Sequence, residues 1–257
     1  MWMGIKFGYL ADHETFHPSN LMCRQTTEDS MTLAKSDLEF LKSIDTPTVC
    51  NIVEMVVPER RGHGFTTGHL HCPFPELPPM VAFAKTVSIR AKDAFSLGQT
   101  DYMHKRMDYL DYVASDPRPS VVMIQDLDEP AGYGAFWGEV QSNVHKALRC
   151  VGTVTNGSVR DIPVIAPEFQ ILAGSISPSH AYVHVVDFGR DVTIKGMAVQ
   201  SGDLVHFDRH GAVIVPIDKI EEMRIALDKL LKNEARIIEV VRAPIVDVEK
   251  IKAAILG

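Results

Sequence analysis

The sequence predicts one α/β domain whose second half is a β-rich layer. Three observations carry this. The 257 residues are 46% apolar and 23% charged, the mixture of an ordinary globular domain long enough to bury its own core. The elements run as helices, then α/β alternation, then many short strands, then helices again, an order that layers helices on strands. No linker, internal repeat or low-complexity tract divides the chain.

The elements follow in order. Residues 1–35 are rich in polar and turn-forming types, as in His17-Pro18-Ser19-Asn20, and are expected to form an irregular N-terminal arm. A domain is expected over residues 36–257. Its first helix should begin near Ser36, because Ser36 three residues before Glu39 reads as a capping box. Thr46-Pro47 marks a second start, with Val49, Ile52, Val53 and Val56 at helical spacing until Pro58. A Gly- and Pro-rich loop insertion is expected near residues 60–79. Met80–Arg90 is β-rich and suits a buried strand. Tyr102–Tyr112 reads as a helix and Ser120–Gln125 as a strand ending in the acidic Asp126–Glu129. Ala135–Arg149 has helical spacing, Gly152–Thr155 is a strand and Asn156-Gly157 a turn. Short strands are then expected at Gln170–Ala173, Tyr182–Val186, Val192–Ile194, Met197–Val199, Leu204–Phe207 and Ala212–Val215. Helices from Ile217 and over Val246–Leu256 close the chain.

Charge and composition exclude several functions. Lys plus Arg total 26 and Asp plus Glu 33, a net charge of −7. That argues against wrapping nucleic acid, which requires a positive face, and 7% aromatics give little support for base stacking. No apolar run reaches the roughly 18–20 residues of a membrane span. Met1–Leu10 lacks a basic stretch followed by an apolar one, so no signal peptide and a cytoplasmic location are expected. Cys23, Cys50, Cys72 and Cys150 are scattered without a CxxC and are expected to be reduced thiols. Cys150 is expected to be structural.

The most informative stretch is Gly132–Asp161. A loop ends at Gly138-Glu139, a helix starts there, and a returning strand leads to Arg160-Asp161, with twenty residues between Glu139 and Arg160. The helix start offers the free N–H groups of Val140 and Gln141 to an anion. Arg160 offers a planar fork for a carboxylate, and Asp161 a hard oxygen for Mg²⁺ or Mn²⁺. The plainer alternative is a solvated turn and a simple helix start. A second candidate is His63, His69, His71 and Cys72, which supply zinc-ligand types but match no closed zinc motif. A flexible Gly/His loop is the preferred reading there. His180 and His184 read as ordinary polar residues, although Ser177–His180 is a loop able to reach a site.

Over Gly138–Asp161 the sequence resembles the RraA-like family, which holds regulators of ribonuclease activity and class II 4-hydroxy-4-methyl-2-oxoglutarate aldolases. The resemblance rests on Ala135–Glu139 and Asn156–Asp161, joined by Leu41–Asn51, Ala82–Val87, Val199–Asp208 and Gly211–Pro216 in the family's order. It implies a swivelling β/β/α sandwich forming a homotrimer or homohexamer, with active sites between subunits. It further implies that Arg160 binds the carboxylate or keto oxygen of a pyruvyl unit and that Asp161 holds a divalent metal, largely through water. Gly138, Val140 and Gln141 would then contact substrate, with Glu139 beside them as a catalytic candidate. The expected activity is a metal-dependent lyase acting on small 2-oxo acids, by aldol cleavage, oxaloacetate decarboxylation or both. The competing class is a non-catalytic regulator that binds a protein of RNA processing. Two departures stand out. Glu139 replaces the usual Gly or Asp, and Val164 stands where aldolase members carry an acid. The second change is expected to hurt aldol cleavage more than decarboxylation.

Overall fold

The computed structural model describes residues 33–96 and 98–256. The expected arm therefore lies almost wholly outside the described residues. Helix α1 (Lys35–Lys42) starts one residue before the predicted point, with Ala34 as its cap and no side-chain capping bond. The predicted Ser36–Glu39 capping box is not formed. Tertiary contacts fix this corner instead, since Arg224 donates to the Ser36 carbonyl at 2.8 Å and to the Asp37 carboxylate at 2.7 Å. Helix α2 (Thr46–Val56) is capped by Asp45, which accepts from the Thr48 N–H at 3.0 Å. Its buried face is Thr46, Val49, Ile52 and Val53, the predicted stripe shifted toward Thr46, with Val56 only half-buried.

Thr46 also ties α2 to the sheet. Its N–H donates to Asp208 at 2.9 Å and its hydroxyl lies 3.0 Å from His206 Nδ1. His206 Nε2 reaches the carbonyls of Leu41 and Ile44. Carbonyls only accept, so Nε2 carries the proton and Nδ1 accepts from Thr46. The segment near 60–79 is fastened along the sheet by bridges of Phe65 to Val213 and His71 to Ala173.

Strand β1 (Met80–Arg90) coincides with its prediction. Helix α3 (Gln99–Ala114) and strand β2 (Ser120–Asp126) follow. The next prediction needs correction. Ala135–Arg149 is not helical throughout: strand β3 (Ala135–Trp137) precedes helix α4 (Glu139–Ala147), which starts at the expected Gly138-Glu139 boundary. Trp137 is fully buried and pairs with Val159, so sheet pairing claims the residues ahead of the helical spacing that Val140, Val144, Ala147 and Leu148 carry. The remaining strands are β4 (Cys150–Thr155), β5 (Ser158–Val159), β6 (Gln170–Leu172), β7 (Ser175–Ile176), β8 (His184–Phe188), β9 (Val192–Ile194), β10 (Met197–Val199), β11 (Leu204–Asp208) and β12 (Gly211–Val215). Strand β8 sits two residues later than predicted, because Asp187 and Phe188 pair with Ser88 and Val87 across a bulge in β1. Helix α5 (Ile220–Val241) is long, and α6 (Val248–Leu256) starts where Asp247 accepts from the Glu249 N–H.

The main sheet runs β12-β11-β1-β2-β4-β6, with β8 also on β1. Strands β1, β2, β4 and β6 are parallel neighbours, while β11 and β8 are antiparallel to β1. One edge of β1 is shared: Met80–Phe83 pair with β11 and Val87–Arg90 with β8. The strand contributes side chains to all three hydrophobic clusters: Ala82 to one, Val87 to the second and Phe83 to the third. A separate small sheet, β3-β5-β7, is entirely parallel.

Candidate active site

The small sheet builds the site. Because β3 and β5 are parallel, their C-terminal ends emerge at one edge, where open α/β sheets bind ligands. Strand β3 delivers Gly138 and the start of α4. Strand β5 delivers Arg160 and Asp161. Their union is tight: the Arg160 N–H donates to the Trp137 carbonyl at 2.9 Å. A Cβ on Gly138 would lie 2.6 Å from Asp161 Oδ2 and 3.3 Å from Arg160 Cγ. Only glycine leaves room for that approach. Asp161 adopts the left-handed region, φ 54°, which turns its carboxylate back toward Arg160, with Nε and Oδ2 3.4 Å apart.

Gly138 caps α4 without a side-chain oxygen, so the first-turn N–H groups have no side-chain acceptor from the cap. Val140 and Gln141 line a cavity of about 380 Å³ together with Gly138 and Arg160. Glu139 is exposed and stands outside that lining. Val164 is exposed at the end of the short turn after Asp161.

The remainder of the cavity wall was not legible as a site. Helix α3 supplies Lys105 and Arg106, and the chain before and at the start of β8 supplies His180 and His184. Three fixed cations and two imidazoles face this space, and no carboxylate is among its lining residues. In a chain of net charge −7, that is a local inversion of sign suited to an anionic ligand. Sequence spacing gave no cue for Lys105 or Arg106, since α3 is only weakly amphipathic.

Two buried clusters brace the site. Tyr109 lines the cavity, and its hydroxyl lies 2.6 Å from Nε2 of the fully buried His145. His145 Nδ1 lies 2.7 Å from the Gln141 carbonyl. Nδ1 therefore carries the proton and Nε2 accepts from Tyr109, which joins α3 to the first turn of α4. Burial depresses the His145 pKa to about 4 and pushes that of Tyr109 well above the ordinary phenol range. On the other side, Asn156 exchanges two hydrogen bonds with the Asp126 backbone, 2.7 and 2.9 Å. The Asp126 carboxylate accepts from Asp128 and Gly132. Its pKa is raised, chiefly by burial.

The other sequence candidates separate from this site. The His71 backbone bridges to Ala173, and Cys72 Sγ lies 3.6 Å from the Gln170 amide oxygen. Among the described residues no group of three His, Cys, Asp or Glu side chains converges to hold a metal. Cys150 is buried against Ser120, as expected of a structural thiol, and its pKa is raised by burial.

Comparison with known proteins agrees with this architecture. A family model described as RraA-like, Aldolase/RraA, matches residues 45–214. The chain belongs to the RraA-like family. Among curated proteins, it is 26% identical over 125 residues to protein DlpA of Legionella pneumophila, a match spanning 47% of this chain and 19% of that protein. Two solved structures share the RraA-like fold. An uncharacterized protein from Pseudomonas syringae pv. tomato superposes with a TM-score of 0.63 at 21% identity, covering 91% of this chain and 99% of that one. An unusual Streptomyces coelicolor member of the RNase ES inhibitor RraA protein family superposes at 0.59 and 18% identity, covering 79% and 93%. The single mixed α/β domain expected from the sequence is thus the RraA-like one. The family includes lyases as well as ribonuclease inhibitors. No helix among the described residues is long and apolar enough to cross a membrane.

Proposed function

We propose that this RraA-like protein is a divalent-metal-dependent lyase that releases pyruvate from small 2-oxo acids. The observation that supports this best is Arg160 and Asp161 packed against the bare N-terminus of α4, beside a cavity lined by cations and no carboxylate. Asp161 offers one carboxylate. That suits hydrated Mg²⁺ or Mn²⁺, which keeps several waters and takes further ligands from substrate. A closed cage of protein ligands does not fit. Bound there, the ion would supply Lewis-acid polarisation of a chelated 2-oxo acid.

The chain's own residues do the rest. Arg160 grips the carboxylate or keto oxygen and stays fixed as charge grows on the departing enolate. The Val140 and Gln141 N–H groups orient the same acid, with the helix dipole behind them. Gly138 lets these donors meet Arg160. Glu139, exposed at the helix start, orders water at the mouth. The Tyr109–His145 link holds the first turn of α4 in place. Loss of CO₂ from oxaloacetate and cleavage of the C3–C4 bond of a 4-hydroxy-2-oxo acid give the same pyruvate enolate. A homotrimer or homohexamer would complete the site between subunits, and the exposed Met107 and Val140 at the cavity suit such a contact.

The test is pyruvate release from oxaloacetate and from 4-hydroxy-4-methyl-2-oxoglutarate, with Mg²⁺ or Mn²⁺ and again after EDTA. Metal-dependent turnover is expected on at least one. No turnover on either would favour the regulator, a binding role for an acidic ring on a basic partner segment.

A further inference from the structure

Aldol cleavage, unlike decarboxylation, needs a base for the C4 hydroxyl proton, and Val164 is not an acid. The cavity wall narrows the choice. It has no carboxylate; Lys105, Arg106 and Arg160 are cations; and the Tyr109 hydroxyl is committed to His145. The two imidazoles remain. In each, Nδ1 lies 2.7 Å from a backbone carbonyl, Ala181 for His180 and Tyr182 for His184. A carbonyl only accepts, so Nδ1 carries the proton and the neutral ring keeps Nε2 as a free lone pair.

Position separates the two. His184 lies on β8, paired with Arg90, nearly buried and in an edge-to-face contact with Phe95. His180 is exposed and lies in the loop leaving β7, beside β5, the strand that Arg160 follows. The Ser177 N–H donates to the Val159 carbonyl at 3.1 Å, and the Ala135 N–H to the Ser179 carbonyl at 2.9 Å. A Cβ on Gly134 would meet the His180 carbonyl at 2.5 Å, so glycine there admits the loop. Ala181 is held at φ 45°, a left-handed conformation that costs a non-glycine residue energy and persists only where surroundings enforce it.

We propose that His180 is the catalytic base for aldol cleavage, taking the role that Val164 cannot perform. This rests on the lyase reading above. Nε2 accepts the C4 hydroxyl proton. The C4–O bond becomes the carbonyl of the departing oxo acid, and the C3–C4 electron pair passes into the pyruvate enolate. The imidazolium then returns its proton to C3, giving pyruvate and neutral His180.

The experiment compares the metal-loaded wild type with His180→Ala, His180→Gln and His184→Gln on 4-hydroxy-4-methyl-2-oxoglutarate and oxaloacetate. For both His180 variants, aldol kcat should fall about 100-fold or more relative to decarboxylation kcat on the same protein, the usual scale for a positioned base. Added imidazole should restore part of the His180→Ala loss. Equal losses on both substrates, an unchanged ratio, or a larger selective loss in His184→Gln would overturn the assignment. A wild type that decarboxylates oxaloacetate without cleaving the aldol substrate would overturn it too, while leaving the lyase reading intact. A wild type inactive on both would remove both.

Discussion

At Gly138, a missing side chain brings two others together. The space for a Cβ is taken by Asp161 and Arg160, while the backbone is extended, φ −165°, and free of strain. Gly138→Ala should therefore fold normally but push the Asp161 carboxylate aside. Its melting temperature should stay within a few degrees of wild type while Mn²⁺ binding, followed by electron paramagnetic resonance, weakens several-fold. Arg160→Ala removes the charge that faces the enolate. We expect a loss of roughly 3 kcal/mol or more of transition-state stabilisation, about 100-fold in kcat/KM. Near-normal pyruvate release by that variant would contradict its role. The approach of Arg160 and Asp161 to Gly138 at the start of α4 is one that a loop, a helix and a returning strand of that length allow, and their spacing in the sequence admits it without requiring it. His180 was visible only as a loop residue able to reach a site. Nothing in its spacing reveals that Gly134 admits its loop or that β7 runs beside β5.

Among the elements, α3 and α4 are linked through one buried hydrogen bond, and that link titrates. The His145 pKa falls from its ordinary 6.5 to about 4 in the fold. The unfolded chain therefore binds more protons than the native one between these values. Stability from this group is complete above pH 6.5 and declines as pH falls toward 4. His206, also depressed mainly by burial, acts in the same direction. Urea titrations at pH 7.5 and 5.0 should differ by about 2 kcal/mol from His145 alone, and His145→Gln should flatten that slope. The element boundaries show where sequence reading works. The bounds expected for β1, β9 and β10 match the structure to the residue, β1 because its β-rich run is buried almost throughout and β9 and β10 because turn residues flank them. Strand β3 was absorbed into a helix, since three residues carry no periodicity and their partner, β5, is only two residues long.

Across the whole molecule, β1 is the common member of three clusters. Phe83 is buried where β1 meets β11 and the α2–α5 layer. Phe83→Ala should cost roughly 3–5 kcal/mol by cavity formation. If the domain is one cooperative unit, fluorescence of the buried Trp137 and the far-ultraviolet helix signal should shift together to the same lower midpoint. Two separated transitions would show that the clusters melt independently.

The register Met80 with Phe207 and Phe83 with Leu204 also constrains the order of events during synthesis. The first strand of the sheet waits for a partner encoded more than a hundred residues later, a non-local closure that slows folding. On the ribosome, Phe83–Ile89 can pair with β2 on one side while the other edge, at Met80–Phe83, stays open until β11 emerges. A nascent chain stalled before Leu204 therefore presents an unpaired apolar edge, the kind of surface that recruits chaperones or seeds aggregation.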